Sequence, residues 1–234
     1  IDSLQSINIG ANNHGGLIGD KTALILRKPG FNRDEQKWDT NKKNDDAIEL
    51  QSRLNGTDTA DVNLGKIQEV IKAEEYLIEL QTRVSGSPIS TIGEAIEGIN
   101  PDVLNASEAA IQSLIHAMRE LYNIGVEVDP ENLGNILYDA QSDRFGIVDI
   151  DVKHDFESFE EMLSAFAQTV RNQVEDIADI LNDPNMAQAW SRFADRVDSE
   201  AEKFINPASR FSDADENPVA TLTTERDGTV INSK

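Results

Sequence analysis

The chain has 234 residues, no cysteine and a formal net charge of −22, a composition that predicts a soluble, globular protein with one full core or two very small ones. It excludes disulfides, thiol catalysis and cysteine-based zinc sites, and we expect neither a membrane-spanning segment nor a secretory signal peptide. The acidic charge disfavours nucleic acid and anionic membranes as partners, and it suits a basic protein partner, a salty habitat or solubility alone.

The first thirty residues predict a small β unit. Ser3–Ile9 alternates apolar and polar side chains, a Gly/Asn-rich turn spans residues 10–16, and Thr22–Leu26 is a strong strand. A glycine-rich turn between strands brings backbone N–H groups close to phosphates, and a lysine on the third strand can reach the same phosphates. The candidate phosphate site is therefore formed by Gly10, Gly15, Gly16 and Lys28. The alternative is an ordinary hairpin turn followed by a solvated strand end.

The segments that follow are less regular. Residues 31–43 are polar and predict a loop. Asp45–Leu54 predicts a short helix capped by Asn44, with Glu49 in its middle. Residues 65–84 fit a helical period, although Tyr76–Val84 also fits a strand. The phrase Ser85–Ser90, which contains glycine and proline, follows this stretch.

The second half of the chain predicts helices around one short hairpin. A helix opening at Pro101–Leu104, with a cap near Asn105 or Ser107, carries an apolar stripe and stops at Gly125. Two further amphipathic helices follow residue 155, the second beginning at Asp183–Pro184. Residues 207–234 predict a polar tail, with a late hairpin at 221–232 as the alternative.

The stretch Val126–Asp151 predicts a loop, a strand, a turn and a second strand. Asn135 lies immediately before the first strand, and Asp149 is predicted to lie within the second, at residues 145–150. A tight hairpin would direct an oxygen of each side chain at one spot, and proteins bind Mg²⁺ with such oxygens together with water and phosphates. Asn135 and Asp149 are therefore the candidate metal ligands. The alternative is that they are turn and solubility residues of an acidic α+β interaction protein.

The segment Leu133–Asp139 resembles the catalytic-loop exit of the OspG and NleH type III secreted effector kinases. The order of segments from about residue 5 to residue 151 is similar to that of a protein kinase domain. This resemblance implies an α+β, bilobal, kinase-like fold without an activation segment. Its β-rich N-lobe would span residues 1–84 and its mainly helical C-lobe residues 85–206. On this resemblance we interpret residues 65–84 as two strands, at about 67–72 and 76–83.

The resemblance also implies a chemistry. ATP and Mg would be the cofactors, Lys28 would hold the α- and β-phosphates, Glu49 would position Lys28, and Asn135 and Asp149 would bind the metal, with Asp151 able to share the role of Asp149. A protein would be the substrate, and ubiquitin or a ubiquitin-conjugated E2 enzyme would be a partner. The location would be cytoplasmic, or inside a host cell if the protein is a bacterial effector.

The sequence departs from the kinase pattern at the position of the catalytic base. Kinases place an Asp five residues before the loop Asn to accept the substrate proton, and that position here holds Pro130. Asp129, one position earlier, is the candidate base if the loop contains a bulge. Otherwise Glu131 or Glu127 substitutes for it, or the base is lost. Two functions follow: a minimal protein Ser/Thr kinase, or a pseudokinase that acts as a protein-binding module.

Overall fold

The computed structural model describes residues 4–9, 13–18, 22–27, 30–32, 37–39, 48–55, 57, 59, 61–73, 76–92, 98–126, 128–150, 152 and 156–206. Several residues of interest in the sequence lie outside the described residues: Gly10, Lys28, Glu127, Asp151 and the segment 207–234.

Eleven strands are described, and in chain order they are β1 Leu4–Ile9, β2 Asn13–Ile18, β3 Thr22–Arg27, β4 Gly30–Asn32, β5 Lys37–Asp39, β6 Asn63–Leu64, β7 Ile67–Ala73, β8 Tyr76–Thr82, β9 Ser87–Pro88, β10 Ile136–Asp139 and β11 Arg144–Ile147. The helices are α1, described over residues 48–54, then α2 Glu108–Asn123, α3 Phe159–Ile180 and α4 Pro184–Ile205. Short 3-10 helices cover Pro101–Asn105 and Leu133–Asn135.

The N-terminal sheet has five strands in the order β1-β2-β3-β8-β7, each antiparallel to its neighbours. Gly15 and Gly16 lie inside β2, where they pair with residues of both β1 and β3. The prediction that they form the turn is therefore wrong. The two flanking strands hold the glycine backbone in register, and a residue without a side chain is tolerated in a strand that is paired on both sides.

Two further segments of the N-terminal region form strands that their sequence pattern does not show clearly. Residues 31–43, predicted as a loop, contain the hairpin β4–β5, in which Phe31 is opposite Trp38 in register. In the sequence, the polar residues on either side of Phe31 and Trp38 conceal the pattern of so short a hairpin. Residues 65–84 form the antiparallel pair β7–β8, with a register shift between Ile67 and Glu69. The two predicted strands are confirmed, and the bulge is one reason why the apolar spacing does not show a clean strand period.

The second sheet lies at the centre of the C-terminal half. Its order is β6-β11-β10-β9, with β6 parallel to β11 and the other pairs antiparallel. Helices α2, α3 and α4 surround it with one hydrophobic core, whose largest fully buried side chains include Trp190, Phe145, Phe166 and Phe193. Each such side chain stabilises the fold by about 1.5–3 kcal/mol relative to its exposed state.

Each long helix begins at a side-chain cap. Ser107 accepts the Ala110 N–H at 3.0 Å at the start of α2, Ser158 caps α3, and Asp183 caps α4, whose first residue is proline. Capping satisfies N–H groups that have no partner within the helix, which explains why these boundaries could be predicted. At the other end of α2, Gly125 has a φ of 74°, the left-handed value that stops a helix.

The helices are joined by polar contacts as well as by the core. The Trp190 indole N–H donates to the Val170 carbonyl at 2.7 Å, which fixes α4 against α3. Glu200 is only 3% exposed, and it accepts from Gln112 at 2.9 Å and from Lys203 at 2.7 Å. A buried carboxylate requires such partners because an unpaired one would cost several kcal/mol. The hydrogen bond between Gln112 and Glu200 therefore connects α4 to α2.

The predicted α+β fold is confirmed, with a β-rich N-terminal part and a mainly helical C-terminal part. Within the described ranges no helix is both long and apolar enough to cross a membrane.

Candidate functional site

Asn135 lies at the end of the 3-10 helix Leu133–Asn135, directly before β10. The preceding turn is fixed because Asn132 accepts the Gly134 N–H at 3.0 Å through its side chain and the Asn135 N–H at 3.1 Å through its carbonyl. The Asn135 carbonyl in turn accepts the Val148 N–H at 2.9 Å. The backbone that leads into Asp149 is therefore hydrogen-bonded to Asn135.

Asp149 lies beyond the second strand, and the prediction that it lies within that strand is wrong. Strand β11 ends at Ile147, and Asp149 is exposed with a φ of 51°. Aspartate is one of the few residues that adopt this left-handed backbone readily. Such conformations are concentrated at functional sites, where the surrounding structure holds them. Asp149 is therefore an exposed residue directly after Val148, whose backbone is hydrogen-bonded to Asn135.

Two glycines let the β10–β11 hairpin pack closely against the chain that follows β8. A β-carbon at Gly146 would overlap Val84 and lie 3.2 Å from the Asn63 carbonyl oxygen. Gly86 has a φ of 106°, and a β-carbon there would lie 2.6 Å from the Tyr138 carbonyl oxygen. The hairpin that carries the candidate metal ligands is therefore fixed between β6 and residues 84–88.

The candidate base Asp129 is exposed and is part of a local turn. Its Oδ1 accepts the Glu131 N–H at 3.0 Å, and its carbonyl accepts the Asn132 N–H at 3.4 Å. Pro130 between them is buried. One oxygen of the Asp129 carboxylate is thus used to stabilise the turn, in the manner typical of aspartate in loops. The catalytic role of Asp129 stays a prediction, and the same holds for Glu131, which is exposed.

Glu49 is on α1 and forms an ion pair with Arg53 of the same helix, with 2.5 Å between Oε1 and Nη2. Lys28, the partner predicted for Glu49, lies outside the described residues, so that pairing stays a prediction. Arg53 also donates to the carbonyls of Ile124, at 3.1 Å, and Gly125. A guanidinium at the end of α2 is favourable because the carbonyls there carry partial negative charge.

Arg53 is a residue that the sequence interpretation missed. Its spacing from Glu49 is the four-residue spacing at which oppositely charged side chains meet on a helix. That spacing could have indicated the ion pair. It could not have indicated the bonds to α2, whose carbonyls are 71 and 72 residues away along the chain.

A cavity of about 250 Å³ opens beside the turn that precedes Asn135. Its walls come from that turn, from the segment after β9 and from α3, and they are formed by Ser90, Ile92, Glu131, Asn132, Leu133, Gly134 and Gln173. The Ser90 hydroxyl donates to the Gln173 side chain, so two lining residues from distant parts of the chain are joined to each other. No pattern in the sequence indicated that Gln173 faces this turn.

A buried tyrosine of β10, Tyr138, is paired with Asp143 in the outer turn of the hairpin. The Tyr138 hydroxyl donates to Asp143 Oδ1 at 2.7 Å, and the Ser107 N–H donates to the same oxygen at 3.1 Å. Burial, with the hydrogen bond to Asp143, raises the pKa of Tyr138. Hydrogen bonds from Ser107 and Tyr138 lower the pKa of Asp143. The ionised aspartate thus connects the hairpin to the start of α2.

No protein-family model matches the chain, and no curated protein matches its sequence. Three solved structures illustrate what it is similar to. Two are double mutants of the Mycobacterium tuberculosis PknI kinase domain. One is 12% identical with a TM-score of 0.49, and the other is 11% identical with a TM-score of 0.48. Each match covers 85% of this chain and 96% of the other.

The third is the kinase PK-1 of Cydia pomonella granulovirus, which is 13% identical with a TM-score of 0.40. That match covers 63% of this chain and 53% of the other. The neighbours are thus kinases, as the resemblance implied, whereas the narrower resemblance to OspG and NleH stays a prediction.

Proposed function

We propose that this chain is a kinase-like domain that binds a magnesium nucleotide at Asn135 and Asp149. The observation that carries the proposal is the 2.9 Å bond from the Val148 N–H to the Asn135 carbonyl, together with the left-handed backbone of Asp149. A buried helix, a turn ending in asparagine, a hairpin and then an aspartate follow one another as in the metal-binding segment of protein kinases. A five-stranded antiparallel sheet precedes them.

The donor atoms suit magnesium. An amide oxygen and a carboxylate oxygen are hard ligands, and magnesium is usually held by one or two carboxylates, with water and substrate phosphates completing the octahedron. Among the described residues no cluster of three or more His, Cys, Asp or Glu side chains could hold a metal alone. The two side chains would therefore hold the ion jointly with the nucleotide. When bound, the ion would neutralise charge on the phosphates.

The remaining roles are parts of the same proposal. Gly15 and Gly16 are paired with both β1 and β3, so of the three candidate glycines Gly10 would offer its backbone N–H to the phosphates, and Lys28 would follow β3 closely enough to reach them. Glu49 would hold Lys28, in competition with the ion pair that it forms with Arg53. This competition makes Glu49 informative, because loss of its charge would affect nucleotide binding only if it also serves Lys28.

The first candidate activity is phosphorylation of a protein Ser or Thr, with Asp129 as the base. A pseudokinase that binds proteins is the second, and a specific observation favours it: Pro130 occupies the expected base position, and Asp129 Oδ1 already accepts the Glu131 N–H. The other oxygen of Asp129 would have to accept the substrate proton if transfer occurs. Ubiquitin or an E2 enzyme as partner is a prediction of the resemblance alone.

The proposal is tested by thermal melting with and without Mg²⁺-ATP. A ligand that binds only the native state at about 100 times its Kd stabilises that state by about 2.7 kcal/mol, which raises the melting temperature. We expect a metal-dependent rise that is lost in Asn135→Ala and Asp149→Asn and kept in Asp179→Asn, which removes an exposed carboxylate of α3. No rise in the unmodified chain at saturating nucleotide would contradict the proposal.

Transfer of labelled phosphate then separates the two activities. A kinase gives labelled protein that disappears in Asp129→Asn, whereas a pseudokinase gives the melting shift without transfer. A transfer rate unaffected by Asp129→Asn would exclude Asp129 as the base and would direct attention to Glu131 and Glu127.

A further inference from the structure

We propose that the cavity beside residues 131–134 binds a basic side chain, lysine or arginine, of the protein that this domain engages. The inference rests on the proposed function in one respect: the engaged protein would be the substrate, because the cavity adjoins the turn that carries Asn135. The cavity itself, its walls and its charge are features of the described residues.

The size and lining of the cavity suit one long side chain. Its volume of about 250 Å³ is below the range of about 300–1,000 Å³ that is typical of sites for drug-sized ligands. Ile92 and Leu133 provide apolar surface, and Asn132 and Gln173 provide polar surface. An aliphatic stem against the apolar side chains with a charged head among the polar groups is the usual way in which lysine and arginine are accommodated.

The charge of the lining determines which head group fits. Among the described residues that line the cavity, Glu131 is the charged one, and none is lysine, arginine or histidine. The Glu131 carboxylate is exposed and forms no hydrogen bond or ion pair with another residue in the described ranges. An anionic ligand would meet this carboxylate without compensation, whereas a cation would provide the partner that the described residues do not.

The other polar side chains of the wall already form hydrogen bonds, two of which involve carboxylates nearby. Gln173 accepts from Ser90 and donates its amide N–H to Asp176 at 3.3 Å. Asn132 Oδ1 accepts the Gly134 N–H, and Asp129 accepts the Glu131 N–H. Two further carboxylates thus lie one hydrogen bond from the lining, and they reinforce its negative field.

The whole chain favours the same partner. Its net charge of −22 attracts basic proteins over a distance set by the ionic strength, and complementary charges guide such partners into contact. A field of this kind is not specific by itself. The cavity would add specificity, because a basic side chain could enter it only from a residue at one particular distance from the reacting hydroxyl.

The test is a nuclear magnetic resonance titration of the ¹⁵N-labelled full chain, without nucleotide, with four short peptides. All have the same alanine and serine background and differ at one position, which holds arginine, lysine, norleucine or glutamate. We expect the arginine and lysine peptides to shift the backbone amides of Asn132 and Gly134 and the side-chain amide of Gln173. The norleucine and glutamate peptides should not do so.

A pair of charge reversals separates the cavity from the general field. Glu131→Lys and Glu202→Lys change the net charge equally, and Glu202 is exposed on α4 outside the cavity lining. We expect Glu131→Lys to raise the Kd of the arginine peptide at least about tenfold, which corresponds to about 1.4 kcal/mol. Glu202→Lys should change it less than about threefold, and Glu131→Gln should give an intermediate loss. Equal effects of the two reversals, or equal shifts with norleucine, would overturn the proposal.

The two proposals can fail separately. A melting shift with Mg²⁺-ATP combined with no binding of basic peptides would leave the nucleotide site and remove the cavity proposal. Specific binding of the arginine peptide with no nucleotide shift would keep the cavity as a recognition site and overturn the kinase-like function. The unfolding midpoint of each variant in urea shows whether a loss of binding is merely a loss of folded protein.

Discussion

Gly146 packs directly against Val84, with no space for a β-carbon between them. The contact joins β11, two residues before the Val148 N–H that bonds to Asn135, to the segment that leaves β8. Tight packing here fixes the hairpin and therefore fixes the spacing of the two candidate metal ligands.

Gly146→Ala should destabilise the fold by about 1–3 kcal/mol, because the added methyl group must displace Val84 or the hairpin. The measurement is urea unfolding. Gly98→Ala is the matched control, since among the described residues a β-carbon there would meet the Thr91 hydroxyl alone, at the ordinary contact distance of 3.9 Å. The double variant Val84→Ala with Gly146→Ala should recover part of the loss, because the overlapping methyl group is then absent. Additive losses would show that Val84 is not the obstacle.

Two substitutions at Asp149 distinguish the effect of its backbone conformation from the effect of its charge. Asparagine tolerates a φ of 51° and alanine does not, so Asp149→Ala should be less stable than Asp149→Asn by about 1–2 kcal/mol. Both variants should lose the Mg²⁺-ATP melting shift, because neither keeps the carboxylate. A shift retained in Asp149→Asn would show that the carboxylate is not a metal ligand. Equal stability of the two variants would show that the left-handed backbone relaxes.

Arg53→Ala should destabilise the fold by about 1–3 kcal/mol, since the partly buried carbonyls of Ile124 and Gly125 lose their donor. Glu49→Gln should cost less than about 1 kcal/mol, because the Glu49 side chain is 50% exposed and exposed ion pairs contribute little. Urea unfolding measures both. If Glu49 also holds Lys28, Glu49→Gln weakens nucleotide binding by more than it lowers stability. An equal loss of stability in Arg53→Ala and Glu49→Gln would contradict the expectation that the bonds from Arg53 to α2 contribute more than the ion pair.

Asp143 should make stability depend on pH. Its pKa in the folded chain is below its ordinary value of 3.8 because Ser107 and Tyr138 donate to it. A depressed folded pKa stabilises the protein above the unfolded pKa, and the stabilisation is lost as the pH falls through the folded pKa. The stability of the unmodified chain relative to Asp143→Asn should therefore be greatest at neutral pH and should decline in acid.

Asparagine retains the left-handed backbone at residue 143, where φ is 50°, so this comparison isolates the charge. Unfolding in urea at a series of pH values measures it, and Asp179→Asn, which removes one exposed carboxylate of α3, is the charge-matched control. A difference between the unmodified chain and Asp143→Asn that stays constant with pH would show that the hydrogen bonds to Asp143 do not depend on its ionisation.

Much of the fold was predictable because its signals are local. The caps Ser107 and Asp183 and the stop at Gly125 mark helix ends through bonds within a few residues. Strands β7 and β8 are different, since their apolar spacing also fits a helix and the pairing of β8 with β3 decides the outcome. The resemblance supplied what the periodicity could not, because sheet pairing depends on residues distant in the chain.

The site was predictable only in part, for the same reason. Asn135 and Asp149 are close in sequence and could be proposed together, but the left-handed turn at Asp149 depends on how β11 ends. The cavity joins Ser90 to Gln173, which are 83 residues apart, and the bond from Arg53 to Ile124 spans 71 residues. No short-range pattern encodes such contacts, because they exist only when the helices are packed.

The pairing of β6 with β11 affects how the protein can be divided for experiments. Asn63 and Leu64 pair with Gly146 and Ile147, so a strand from the first 84 residues completes the sheet of the helical part. A fragment that begins at residue 85 would expose the N–H and C=O groups along one side of β11. Unpaired strand edges promote association between chains. We therefore expect recombinant fragments cut at residue 84 to aggregate, and fragments that keep residues 61–206 to avoid this cause of aggregation.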